Sequence, residues 1–437
     1  MIQKRRIEEF PEYRFYIPAL TMKMLGGIGL CLVYTVYYTG GDTTQYFSDS
    51  VTVNKLLFTN PAAGIDVIFN GLNLEKLVYF NPEIGYPVYF REASTSFVVQ
   101  VVSLCSIFGF RSYIPTTIIV SWVSFIGIWN LFRVFLKEFP QLARQMAIAM
   151  FFIPSVLFWG SGILKDTFTL SAIGYFTFSF YTGVIQRKNF FRNLLIMIFA
   201  SYVIIIVKPY IYIALLPGVL LWYVNAFISR ISGQFLKFAI APIFVIVTIS
   251  FSILLINYLG SSLGKFSADQ LLERARITQQ DLKASYYKGS SFDIGDFDNS
   301  ITGILAVSHK ALAAGLFRPY LLESKNLLMF VSGIENTFFL LFTLRVLFRV
   351  RFFGFFRFFF KNHLLTFSLL FSLFFAFSVG LSTSNFGSLV RYKIPSVPFF
   401  VASLFIINYY LDEEKKERDR IKLASQNASA NAEMFKI

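Results

Sequence analysis

Charge is what this 437-residue chain has least of: 15% of its residues are Asp, Glu, Lys or Arg, against 55% hydrophobic and 19% aromatic. A soluble domain of that make-up would expose apolar surface it could not cover, and would aggregate through it. Cysteine and histidine are almost missing, with two of each. Cys31 and Cys105 lie in separate apolar stretches without ligand spacing and read as core thiols. His309 and His363 have no second His, Cys or acidic neighbour at zinc-ligand spacing, so no metal site is read. There is no phosphate-cradling glycine loop, serine-nucleophile motif or redox pair. No long stretch alternates apolar with polar residues, which argues against a closed barrel.

What is present is a succession of apolar runs near the ~20-residue length that spans a bilayer. Unpaired amides in lipid cost several kcal/mol each, so the backbone there must be helical. The expected fold class is an all-α polytopic membrane protein with about ten transmembrane helices, interfacial helices and one larger outer-face segment. The runs fall at approximately 17–38, 115–133, 146–161, 166–185, 193–207, 210–228, 238–259, 326–346, 363–381 and 394–411.

Three units follow. Residues 1–230 form a membrane core with a first outer loop over 40–94 and a short interfacial or re-entrant helix over 96–110. Residues 231–411 carry the C-terminal membrane helices and an outer-face segment over 260–325. Within that segment, 268–287 reads as a charged helix, Gly289 to Asp298 as a flexible acidic loop, and Ile301 to Leu316 as an amphipathic helix lying on lipid. Residues 412–437 read as a cytoplasmic polar tail, disordered after Ala424. In the first outer loop, Asn60-Pro61, Asn81-Pro82 and Tyr86-Pro87 are turn signals, with short amphipathic pieces between them that suit the membrane surface.

The net charge is +15. Its positives cluster in short connections: Arg133, Lys137 and Arg144, then Arg187, Lys188 and Arg192, then Arg230 and Lys237, then Arg345, Arg349, Arg351, Arg357 and Lys361. Placing those connections inside satisfies the positive-inside rule if the 96–110 helix does not cross, with both termini cytoplasmic. The charge therefore reads as topology, and no nucleic-acid partner is expected. Lys4, Arg5 and Arg6 precede the first run, which lacks a small-residue cleavage site and reads as a retained span.

This orientation puts a few ionisable groups at the outer face. Asp42, in Gly40-Gly41-Asp42-Thr43-Thr44, is either a base for an acceptor hydroxyl or the cap of a surface helix. Lys165-Asp166 follows a tight turn between apolar runs and is either working, a self-satisfied ion pair, or a cap in which Asp166 starts the next helix. Lys208, Arg391 and Lys393 are cations at outer helix ends, suited to a phosphate or to snorkelling toward headgroups. Arg318 with Glu323, and Glu335-Asn336 inside the next run, are either a brace or a functional group.

The order of these features resembles the GT-C superfamily of integral-membrane glycosyltransferases: one span, a long outer loop opened by Asp42 with Tyr46 four residues on, and an interfacial helix ending in Phe108-Gly109-Phe110-Arg111-Ser112. A span, a basic inner turn, a span with Pro154 and a tight outer turn ending in Asp166 then follow. The likeness covers roughly residues 15–230. Asn385-Phe386-Gly387-Ser388-Leu389-Val390-Arg391 is similar to a segment of bacterial envelope-polysaccharide membrane proteins.

The resemblance implies Asp42 as catalytic base and Asp166 as a second acidic group near the donor or a divalent metal. Tyr46, Lys165, Lys208, Arg318, Arg391 and Lys393 complete the expected substrate-binding set. The implied donor is a polyprenyl-phosphate-linked sugar, the acceptor a hydroxyl, and the location the bacterial inner membrane. A polysaccharide polymerase using lipid-linked oligosaccharides is the near alternative. A lipid-linked glycan transporter is the alternative from another class, and it would want more ionisable groups in mid-span.

Overall fold

A computed structural model describes residues 7, 9–228, 277, 281, 291–295, 301–350, 354–359 and 361–434. Most of these residues are helical, and no strand occurs among them beyond an isolated bridge between Ser291 and Asn385. Seven helices are long and apolar enough to cross a membrane. They are α1 (Pro11–Tyr37), α5 (Tyr113–Glu138), α8 (Lys165–Ile185), α9 (Phe190–Val207), α10 (Pro209–Ile228), α12 (Leu327–Val350) and α14 (His363–Ser382). An eighth is obtained if α15 (Phe386–Tyr392) and the start of α16 (Val397–Met434), bent by 66°, count as one broken span. The remaining helices are α2 (Asp42–Thr59), α3 (Pro61–Asn70), α4 (Ala93–Phe108), α6 (Ala143–Phe151), α7 (Pro154–Trp159), α11 (Ile301–Phe317) and α13 (Gly354–Phe359).

The chain is thus an α-helical polytopic membrane protein, with seven or eight candidate spans among the described residues where the apolar runs suggested ten. The run over 146–161 is divided: α6 ends at Phe151 and α7 begins at Pro154, and neither piece is long enough to cross. Proline lacks the amide that would continue α6, and it sits comfortably as the first residue of α7. The run over 238–259 lies outside the described residues, as does nearly all of the charged helix expected over 268–287.

Three further expectations are corrected. Helix α11 does not simply rest on lipid: Ala311 and Ala314 are buried, and Gly315 and Gly380 bring its backbone against α14. Small residues permit that approach, which hydropathy alone does not register. Residues 291–295 are docked, not loose: the Phe292 amide donates to the Ser384 carbonyl at 2.8 Å, and Phe292 and Ile294 are buried. The tail continues as helix α16 to Met434.

Spans α1 and α5 run antiparallel, as do α10 and α14, whereas α5 and α8 run parallel because α6 and α7 carry the chain back between them. Tyr16 of α1 packs on Trp129 of α5, while Cys31 meets Thr117 near the other end. Gly127 of α5 faces Ser171 and Gly174 of α8, and Lys137 lies over Phe178 and Tyr181. Tyr210 of α10 stacks on Phe375, and Trp222 on Phe367. The outer side of α9 leaves Leu195, Ile198 and Phe199 exposed, as a lipid-facing helix should. These packings gather Tyr34, Asp42, Asp166, Lys208 and Arg391 at one end of the bundle.

At Gly174, a Cβ would overlap the backbone carbonyl of Gly127. A Gly174→Val protein should lose about 1–3 kcal/mol through overpacking. Gly29, which a Cβ would leave untouched, is the control. Thermal unfolding in detergent should show Gly174→Val melting well below Gly29→Ala.

Candidate functional site

The site starts at the turn after α1. Gly40 and Gly41 both have φ of +140°, a region open in practice only to glycine. That turn makes Asp42 the first residue of α2. Its carboxylate does not cap the helix, since Gly41 is the cap position and no side chain fills that role. It accepts instead from Arg391 Nη1 at 2.9 Å and from the Tyr89 hydroxyl at 3.2 Å. The Asp42 side chain is 44% exposed, so it remains open to a further partner.

Arg391 is presented by α15, whose start is fixed by Asn385 accepting from the amides of Gly387 (2.9 Å) and Ser388 (3.3 Å). The guanidinium is shared: Nε donates to Asp166 Oδ2 at 2.7 Å while Nη1 holds Asp42. The other oxygen of Asp166 accepts from Lys208 Nζ. Asp166 is completely buried in the first turn of α8. The chain Asp42–Arg391–Asp166–Lys208 therefore alternates in sign and balances two carboxylates with two cations. Pairing is what allows such charges at the end of an apolar bundle, because a buried carboxylate without a partner is strongly destabilising.

The adjacent Lys165 turns the other way. Its ammonium donates to Ser94 Oγ at 2.8 Å and lies 3.9 Å from the exposed carboxylate of Glu92. It is the cation here least committed to a buried partner.

Two other sequence candidates are elsewhere. Arg318 is paired with Glu323, Nε lying 3.0 and 3.2 Å from its two oxygens, and stacks over Phe292. Lys393 is 1% exposed and donates to Asn336 Oδ1 at 2.5 Å and to the carbonyls of Leu316 and Arg318. Neither joins the Asp42 cluster. Tyr46 is buried with its ring 4.8 Å from that of Tyr89, which makes it a support for Tyr89. Burial, and then the charge of Asp42, push the Tyr46 phenol upward.

Sequence reading overlooked four residues. Tyr89 supplies the second bond to Asp42. Asp49 anchors Tyr89, accepting its amide at 2.8 Å, the Val88 amide at 3.0 Å and the Gln45 side chain at 2.8 Å. Asp49 lies two turns beyond Asp42 on the same helix, a spacing that could have flagged it. Tyr34 lines the space beside Arg391. Lys23 is buried within α1 and donates to the Gly160 carbonyl, a lone cation inside an apolar run.

Burial first, and then Asp42, raise the Tyr89 phenol to about 12. Its folded value lies above its unfolded one, so the hydroxyl donates to Asp42 fully below about 10 and is lost only as pH rises through about 12. Asp49→Asn should release the loop carrying Tyr89. Hydrogen exchange at the Val88 and Tyr89 amides should then quicken by about tenfold, corresponding to one lost charge-assisted hydrogen bond.

Arg391 also lines a cavity of about 640 Å³ between α1, α7, α12 and α15. Its wall includes Tyr34, Tyr38, Trp159 and Tyr392, with Glu335 as the carboxylate. Glu335 accepts from both the amide (2.8 Å) and the hydroxyl (2.6 Å) of Ser155, at the start of α7.

Among the described residues no three His, Cys, Asp or Glu side chains stand close enough together to hold a metal ion. A guanidinium lies between Asp42 and Asp166 where a shared dication would have to lie, so the pair does not fit a metal ligand set. No protein-family model, curated protein or solved structure matches the chain.

Proposed function

We propose that this chain is a membrane glycosyltransferase of GT-C type, moving a sugar from a polyprenyl-phosphate donor to an acceptor hydroxyl at the outer face of a bacterial inner membrane. The observation that carries the reading is the half-exposed Asp42 carboxylate, oriented by Tyr89 and by an Arg391 that also faces the cavity.

In this reading Asp42 accepts the proton of the acceptor hydroxyl as its oxygen bonds to the anomeric carbon. The bond from that carbon to the phosphate oxygen breaks, and polyprenyl phosphate leaves with the electron pair. Arg391 and Lys165 stabilise the charge that develops on it. Lys208 acts at one remove, since its ammonium is buried against Asp166. Exposed Phe330, Val331 and Ile334 on α12 offer the prenyl chain an apolar path beside the cavity.

Binding of polyprenyl phosphate to the full-length protein in nanodiscs, with polyprenol as control, tests the reading. The phosphate-bearing lipid should bind, and Lys165→Ala should weaken it about tenfold, as loss of one charge-assisted contact implies. Equal binding of polyprenol and polyprenyl phosphate would defeat it.

A lipid-linked glycan carrier is the second reading, and buried Lys23 in mid-span favours it. A carrier has no need of a base, so it should move lipid-linked glycan as well with Asn at position 42 as with Asp.

A further inference from the structure

The cavity beside Arg391 combines flat aromatic walls with neutral hydrogen-bonding groups: Trp159 and Tyr38 on one hand, Asn326, Ser332 and Ser388 on the other. Aromatic faces suit the C–H faces of a sugar ring, and short polar side chains suit its hydroxyls. A volume of about 640 Å³ lies within the range of small-molecule sites.

Two wall groups carry charge, Arg391 and Glu335, and Arg391 is already paired with Asp42 and Asp166. Glu335 is 8% exposed, and both its oxygens are held by Ser155, the amide at 2.8 Å and the hydroxyl at 2.6 Å. Held in this way, the carboxylate cannot swing clear of whatever fills the cavity. Its remaining lone pairs can accept from a hydroxyl or an ammonium. A second carboxylate brought into the same cavity would meet it without a counter-ion of its own, because Arg391 is already shared by Asp42 and Asp166, and the buried Lys393 that faces Glu335 is held by Asn336 and the carbonyls of Leu316 and Arg318.

We propose that this cavity receives the glycosyl group of the donor, and that Glu335 restricts it to neutral or amine-bearing sugars and excludes uronic acids. This assignment rests on the reading of the chain as a glycosyltransferase using a lipid-phosphate donor. Glu335 is a specificity determinant here, separate from the proton transfer assigned to Asp42.

The test measures binding of four lipids to the full-length protein in nanodiscs: polyprenyl phosphate alone, and the same lipid carrying a neutral hexose, an amino sugar or a uronic acid. The wild-type protein should bind the hexosyl and aminosugar lipids at least about tenfold more tightly than the uronosyl lipid. Glu335→Gln keeps an acceptor for Ser155 and should reduce that ratio to near one. Ser155→Ala keeps the carboxylate and should preserve the discrimination, which separates a charge effect from a folding defect. Equal wild-type binding of hexosyl and uronosyl lipids would overturn the inference, as would a ratio unchanged in Glu335→Gln. If polyprenyl phosphate binds but the sugars make no difference, only the cavity assignment fails. If polyprenyl phosphate itself does not bind, the functional reading fails with it.

Discussion

Asn in place of Asp42 should reduce sugar transfer by a factor of about 10²–10⁴, the range lost when a positioned general base is removed. The substitution keeps the size of the side chain and an oxygen able to accept from Arg391 or from Tyr89. What it removes is the capacity to hold the acceptor's proton at neutral pH. Asp42 is also the most open carboxylate of the cluster, so its replacement should cost little in stability. Transfer assayed in nanodiscs, beside thermal unfolding of the same preparation, checks both halves. Near wild-type turnover with Asn at position 42 would remove Asp42 from the chemistry and leave the carrier reading standing.

The second large effect concerns the fold. Asp166→Ala should destabilise the protein by about 3–5 kcal/mol, the cost of leaving buried charge without its partner. Lys208 would keep its ammonium in the bundle with no carboxylate against it, and Arg391 would lose one of its two. Adding Lys208→Met should recover part of that loss, because an apolar replacement takes away the stranded charge as well. Unfolding in denaturant should rank wild type above the double variant, and the double variant above Asp166→Ala. A single variant as stable as wild type would show that the buried pair does not brace this end of the bundle.

Both predictions concern residues that the sequence singled out, yet for reasons the structure has rearranged. Asp42 was legible because a lone carboxylate follows two glycines at the end of an apolar run. Lys165-Asp166 was legible because the pair ends a tight turn. Their division of labour was not: neighbours on a helix point about 100° apart, so Asp166 turns into the bundle while Lys165 reaches Ser94 and Glu92. Arg318 and Lys393 carry charge at helix ends just as Arg391 does. Their separation from the cluster follows from α11, α12 and α15 meeting around Asn336, a contact among segments distant in the chain.

The span count has a similar history. A hydropathy window sums transfer energies along the chain, so it joined α6 to α7 across Pro154 and missed the small-residue seam between α11 and α14. It also reads an isolated lysine such as Lys23 as noise within an apolar run.

Composition alone determined the solvent of this protein and the helical state of its backbone, because lipid leaves every amide to be satisfied within its own segment. The glycine pair likewise determined where α2 begins, since only that residue type tolerates the turn. Tertiary structure decided which charges meet: Arg391 finds Asp42 and Asp166 only because packed helices bring remote ends of the chain to one place. Electrostatic pairing depends on distance through space, and sequence separation carries almost no information about that once the chain has packed.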